Sequence, residues 1–294
     1  MKLLALGLLA LTLGCKDEPA DQPEPEPKLE QPAAEAAVGD QPQDRAKRRY
    51  TIESLSGKVD VSGGAGAVGQ SVGGGEAVRT GKGASVTLRI DDVAIRVEED
   101  SLLTARQVTD EVAEVELDRG RARATVAGGE RAVRVRSKGS TAVAETGEGE
   151  FSVFNDGRGT VAVASRKGKI KFGSSKGDSV LAAGQRGVVT GERAPQIAAI
   201  PREVLLEVNW PGARKKVELR GHAEPGAAVR VNGNSVETGP DGAFTASLIL
   251  EPGDNSIEVS ALDLSGRQRT VKRVIKVRER APEVRANTKD IWRQ

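Results

Sequence analysis

One histidine and one cysteine occur among the 294 residues, His222 and Cys15. Cysteine- or histidine-assisted nucleophilic catalysis and structural zinc sites need such residues in combination, so these chemistries have almost nothing to draw on. His222 follows Gly221 in a predicted strand and reads as a structural residue. Carboxylates are more plentiful. The pair Asp91-Asp92 and the run Glu98-Glu99-Asp100 cluster oxygens of the kind that attract Ca²⁺, but neither has calcium-loop spacing. They read as solvated turns, and no metal is expected. The glycine-rich stretch from Gly64 to Ser71 has the spacing of a phosphate-binding loop, with Gln70 where a lysine must meet the phosphates. More glycines follow it in place of a helix, so it reads as a hairpin loop and no cofactor is expected. A carboxylate pair for glycoside hydrolysis is a spatial arrangement that sequence alone does not reveal. The only tryptophans available as sugar platforms are Trp210 and Trp292. Basic residues lack interleaved aromatics for stacking on bases, so no nucleic-acid partner is expected.

Cys15 stands where an apolar run ends. Lys2 precedes the run from Leu3 to Leu13, which is shorter than the ~20 residues a spanning helix takes. The segment LTLGC, residues 11–15, resembles a bacterial lipobox, with Thr12 where an aliphatic residue is usual. The resemblance implies a signal peptide at 1–14 and lipid on Cys15 as the membrane attachment. Several acyl chains on one residue anchor stably. Lys16 in place of aspartate after the cysteine points to the outer membrane, with the periplasmic or surface face left open. No second cysteine is available for an intrachain disulfide. Residues 15–49 hold six prolines and many acidic residues, and read as a disordered tether ending in the basic cluster Arg45, Lys47, Arg48 and Arg49. Two lysines against nine acids give residues 16–44 a net −7 and leave residues 45–294 at +8. Anionic envelope components become plausible partners, although arginines and lysines alternating with apolar residues read first as solvated strand faces.

Beyond the tether, apolar and polar residues alternate in Val86–Ile90, Val112–Leu117 and Val133–Arg136, between glycine-rich turns. This period of two, with no convincing amphipathic helix, predicts an all-β chain. Over 50–193 the signals fall in a particular order: Gly81 and Gly83 after Thr80, Asp91-Asp92, Ser101-Leu102, Gly120, Glu150-Phe151, Gly168, and Ala183-Gly184-Gln185. Here the chain resembles the FecR domain of bacterial envelope proteins. It departs from that pattern at Ser137-Lys138 and at Glu145–Glu148. Iron-uptake regulators with this domain relay the state of an outer-membrane receptor to a sigma factor through a membrane-spanning chain, which is not evident in this sequence.

Over 200–279, Pro225-Gly226, Asn232-Gly233, Asp241-Gly242-Ala243-Phe244 and Asp263–Gly266 separate strands whose apolar residues share one parity. Val229, Val231, Phe244, Leu248, Leu250, Ile257, Val259 and Ala261 would fill a sandwich core. Asn232-Gly233 is a strong two-residue hairpin signal. This segment resembles the immunoglobulin-like domain B of glucodextranase, and such modules act as spacers or adhesive units. Residues 280–294 read as a polar tail.

The expected architecture is therefore a FecR-like β domain followed by an immunoglobulin-like β-sandwich, behind a disordered N-terminal tether. The expected role is non-catalytic: a lipid-anchored binding or scaffold module for an envelope protein or a polysaccharide. A signalling accessory that senses an outer-membrane receptor and a carbohydrate-active enzyme are the alternatives. Loops carry binding more often than cores, so the candidate binding loops are those at Asp91-Asp92 and at Pro240-Asp241.

Overall fold

A computed structural model describes residues 48–278. The expected signal peptide, Cys15, the tether up to residue 47 and the polar tail with Trp292 lie outside the described residues. Every regular element within them is a β-strand, and none is a helix long and apolar enough to cross a membrane.

The first module begins at Tyr50, directly after Arg49. Two sheets share its longest strand, Val112–Val126. In the first sheet the far half of that strand lies between Val93–Val97 and Gly149–Asn155. Thr160–Gly168, Gln185–Thr190 and Gln196–Ala199 extend this sheet on one side. Ser85–Ile90 and Tyr50–Ser56 extend it on the other. In the second sheet the near half of the shared strand pairs with Leu102–Val108 and, in parallel, with Ala132–Ser137. The module continues past residue 193, because Gln196–Ala199 completes the first sheet's edge.

Gly120 makes the sharing possible. It lies inside one continuous strand, at φ 93°, where the chain leaves one sheet for the other. A Cβ there would come within 2.6 Å of the Ser101 backbone. Only glycine meets both demands. The bend is pinned on both flanks. Buried Asn155 donates to the carbonyls of Leu117, Asp118 and Lys138 at 2.8–3.1 Å, and the Ser101 hydroxyl accepts from the Arg121 backbone N–H at 2.9 Å. Between the sheets, Ile52, Leu88, Ile95, Leu103, Leu117, Phe151, Phe172 and Leu181 are fully buried, each worth about 1.5–3 kcal/mol of transfer free energy.

The second module is a sandwich of seven strands among the described residues. One sheet comprises Leu206–Asn209, Lys216–Ala223 and Ala243–Ile249; the other comprises Asn234–Val236, Ala228–Val231, Gly253–Leu262 and Gln268–Val277. The expected core forms as read, with Val229, Val231, Phe244, Leu250, Ile257, Val259 and Ala261 buried and Leu248 half-buried against them. Asn232 and Gly233, at φ 49° and 78°, close the hairpin between Val231 and Asn234. Gly221 pairs with Phe244 across strands, and a Cβ on it would come within 2.2 Å of that ring. His222, the next residue, pairs with Glu207 and Ala243 in the same ladder.

Candidate binding surface

The two loops singled out by sequence serve different structural tasks. Asp91 and Asp92 form the tight turn between Ile90 and Val93, with Asp91 at φ 48°. The Asp91 carboxylate accepts from Arg131, whose side chain is only 4% exposed, and from Arg48 at 3.2 Å. Arg131 also donates to the Thr109 carbonyl at 2.8 Å, and Arg48 reaches Asp110 at 2.8 Å. The Arg131 hydrogen bond, with help from Arg48, holds the Asp91 carboxyl below the usual carboxylate range. This cluster clasps the start of the module onto the hairpin, and it is internally neutralised. Asp92 turns inward beneath Gly129, and its Oδ2 is buried without a hydrogen-bond partner among the described residues. Among the described residues, no group of three or more His, Cys, Asp or Glu side chains is arranged to hold a metal.

Pro240 and Asp241 cap a turn in the second module. The Asp241 carboxylate accepts from the Ala243 N–H at 3.0 Å, and Gly242 donates to the Gly239 carbonyl at 2.9 Å. The run Glu98-Glu99-Asp100, read as a solvated turn, is tied down: Thr80 donates to the Glu98 carbonyl, and Glu99 accepts from the Gly83 N–H at 2.9 Å. No ion pair or hydrogen bond among the described residues joins the Asp91 loop to the Pro240 loop.

The surface that does bring the modules together is the outer face of the first sheet. Strand residues of one parity point there: Arg96, Arg121, Arg123, Ser152, Phe154, Ala162, Ala164, Arg186 and Val188. Leu264, from the Asp263–Gly266 turn of the second module, packs on Ala162 and Ala164, with Phe154, Val188 and Ile200 around it. Gly226 allows a second turn to press on the same face, since a Cβ there would lie 3.2 Å from Phe154 and 3.3 Å from Ala162.

Arg121 is the polar centre of this junction. Its side chain is 9% exposed and donates to the Gly226 carbonyl and, at 3.2 Å, to the Leu262 carbonyl, with its guanidinium 5.9 Å from the centre of the Phe154 ring. Burial lowers the Arg121 pKa, and Glu98, Asp263 and Glu99 oppose that shift. At the flank, Arg186 pairs with Glu224 at 2.8 Å. Glu224 is 4% exposed, and burial pushes its carboxyl up against the pull of Arg186. Asp263 responds oppositely: burial raises it, but hydrogen bonds from Ser265 and Arg267 bring it below the usual range.

Reading the alternating arginines as solvated faces is therefore wrong at Arg121 and, in part, at Arg186. The signal was present in Thr160–Ser165, TVAVAS, whose residues are buried on both parities. A strand apolar on both faces lies between two layers.

Beside the junction an open cleft of about 410 Å³ is lined from both modules, by Ser85, Arg96, Glu98, Glu99 and Arg123 of the first and Arg230 and Leu262 of the second, among others. A smaller cleft of about 340 Å³ lies by Asp91, Arg49, Glu53 and Arg89.

Comparison with known proteins agrees with this division. The family described as FecR protein matches residues 76–171, and the family described as glucodextranase, domain B, matches residues 222–279. These matches support a FecR-like domain followed by a module similar to domain B of glucodextranase. Two crystal structures of a proposed anti-sigma factor from Parabacteroides distasonis are similar at TM-score 0.37, with 16% and 17% identity. The similarity covers 42% of this chain and 59% of theirs, so it spans less than two thirds of those chains and carries no argument about activity. Comparison with curated proteins finds no match.

Proposed function

We propose that the chain is a non-catalytic, lipid-anchored protein of the cell envelope, held in the outer membrane through lipid on Cys15, which binds or scaffolds another envelope component. The observation that carries this reading is the junction itself. A FecR-like sheet and a domain-B sandwich share a buried contact around Arg121 and Leu264, so they present one continuous surface. A pure spacer has no need to bury charged groups such as Arg121 and Glu224 against its neighbour, because each costs desolvation. A fixed pair of modules, by contrast, keeps a composite site in register. Confinement by the anchor and reach through the tether would raise the effective concentration near a partner.

The FecR match favours one second reading, an accessory that senses an outer-membrane receptor. Crosslinked capture of the intact chain from its native envelope, beside a Cys15→Ser control, tests both readings. A discrete partner lost in the control supports the anchored binder, and a receptor as that partner supports the accessory. Recovery of cell-wall or surface polysaccharide alone moves the reading to glycan attachment. Equal recovery with Cys15→Ser would overturn the anchor.

A further inference from the structure

We propose that the cleft at the module junction is a binding site for carboxylates of an acidic segment of a partner protein, with Arg96 and Arg123 as the recognising groups. The proposal rests on the binding-module reading and specifies the chemistry of its partner.

Arg96 and Arg123 are directly opposed in the antiparallel ladder between Val93–Val97 and Val112–Val126. Like charges in that position repel. The neighbouring carboxylates relieve the repulsion only in part. Glu98 lies 3.7 Å from Arg123 and 3.8 Å from Arg121, while Glu150 lies 3.8 Å from Arg123 and 3.2 Å from Arg166. Glu99 is committed to Arg230 and to the Gly83 N–H. Among the described residues, Arg96 has no carboxylate within ion-pair distance and donates only to the Ser85 hydroxyl, at 3.1 Å.

The next ladder position adds a second observation. Ser152 pairs with Arg123 on the opposite side, and both the Ser152 hydroxyl oxygen and Arg123 Nε are buried without a hydrogen-bond partner among the described residues. Unsatisfied buried polar groups are costly and uncommon. Two of them, adjacent to the opposed guanidinium groups, leave donors that no described residue satisfies.

The missing acceptor is a carboxylate on chemical grounds. Guanidinium forks match carboxylates bidentately, and the three cleft arginines exceed the two cleft glutamates by one positive charge. A neutral glycan fits less well, because no aromatic side chain lines the cleft to receive the apolar face of a sugar ring. Arg230 and Leu262 contribute one wall from the second module, so the site is complete only with both modules in place.

Binding of a fluorescent octa-glutamate peptide to the full-length chain, followed by anisotropy, tests this directly, with tri-galacturonate as the competing glycan carboxylate. We expect saturable peptide binding that weakens about ten-fold in Arg96→Gln/Arg123→Gln, the equivalent of about 1.4 kcal/mol, and that falls with added salt. A second variant, Arg49→Gln/Arg89→Gln at the smaller cleft, should bind as the parent does. Equal affinity in the parent and the Arg96/Arg123 variant, or preference for the galacturonate, overturns the proposal. Either failure leaves the binding-module reading standing if the intact chain still captures its envelope partner, whereas loss of that capture with peptide binding retained overturns only the broader reading.

Discussion

Two charged regions of the first module use the same residue types and reach different end states. At the Asp91 clasp, Arg48 and Arg131 each face both Asp91 and Asp110, so two cations meet two anions. At the junction cleft, among the described residues, Arg96 faces no carboxylate and Arg123 Nε has no hydrogen-bond partner. A cluster that closes on itself is best explained by folding. One that stays open at a buried donor has given up stability, and binding is the use that would retain it. The contrast also separates the two candidate loops: the Asp91 loop is consumed by structure, while Pro240-Asp241 is an exposed turn with no ion pair of its own among the described residues.

Breaking the junction should have the largest effect. Arg121→Ala removes two hydrogen bonds to second-module carbonyls, the buried one of Gly226 and the partly buried one of Leu262. Urea unfolding should report a loss of about 3 kcal/mol, with the second module loosened first in hydrogen exchange. Two independent modules would instead exchange as before. The clasp comes next. Arg131→Ala should cost about 2 kcal/mol by the same measurement, less than a fully buried pair, because Asp91 can regain water once its partner is gone. A cost near zero would mean that the clasp is ornamental and the comparison empty.

Most of the fold was legible because strand parity records burial one face at a time. Val229, Val231 and Phe244 read as core and are core, as are Ile257, Val259 and Ala261. The hairpin at Asn232-Gly233 was legible because that residue pair suits a turn with two positive φ angles, which both residues adopt. Two features escaped. Gly120 looks like any turn glycine, and nothing local distinguishes a bend within a strand from a break between strands. The junction escaped because its arginines look like solvent-facing residues, and only the second module's arrival buries Arg121. The doubly apolar TVAVAS strand was the available clue. The open site depends on ladder register, which sets Arg96 opposite Arg123 although 26 residues of chain intervene between them, and no spacing rule reveals that.

A smaller effect should appear in pH dependence. Burial raises the Glu224 carboxyl, so the folded protein holds that proton more tightly than the unfolded chain does. Its contribution to stability is therefore fully present below the ordinary carboxylate value and is lost as pH rises through the raised one. Asp91 runs the other way, present above the ordinary value and lost as pH falls through its lowered one. Denaturation followed across the acidic range should show Glu224→Gln flattening the loss on the higher-pH side while leaving the acid limb in place. Asp91→Asn should instead remove part of the acid limb. If both variants changed the same limb, the two regions would not be electrostatically distinct.

The smallest expected change in stability is at Arg123, and it is the sharpest form of the comparison. Replacing Arg123 by glutamine removes one of two opposed guanidinium groups and the orphaned Nε together. The lost attraction to Glu98 and Glu150 acts at 3.7–3.8 Å, at the outer limit of an ion pair, and on a partly exposed surface such contacts are worth little. Relief of repulsion and of the orphaned donor opposes that loss, so unfolding free energy should stay within about 0.5 kcal/mol of the parent. The clasp arginine should cost several times as much although both side chains belong to the same type and the same module. A loss at Arg123 as large as that at Arg131 would show that the cleft closes on itself after all, and its arginines would then belong to folding alone.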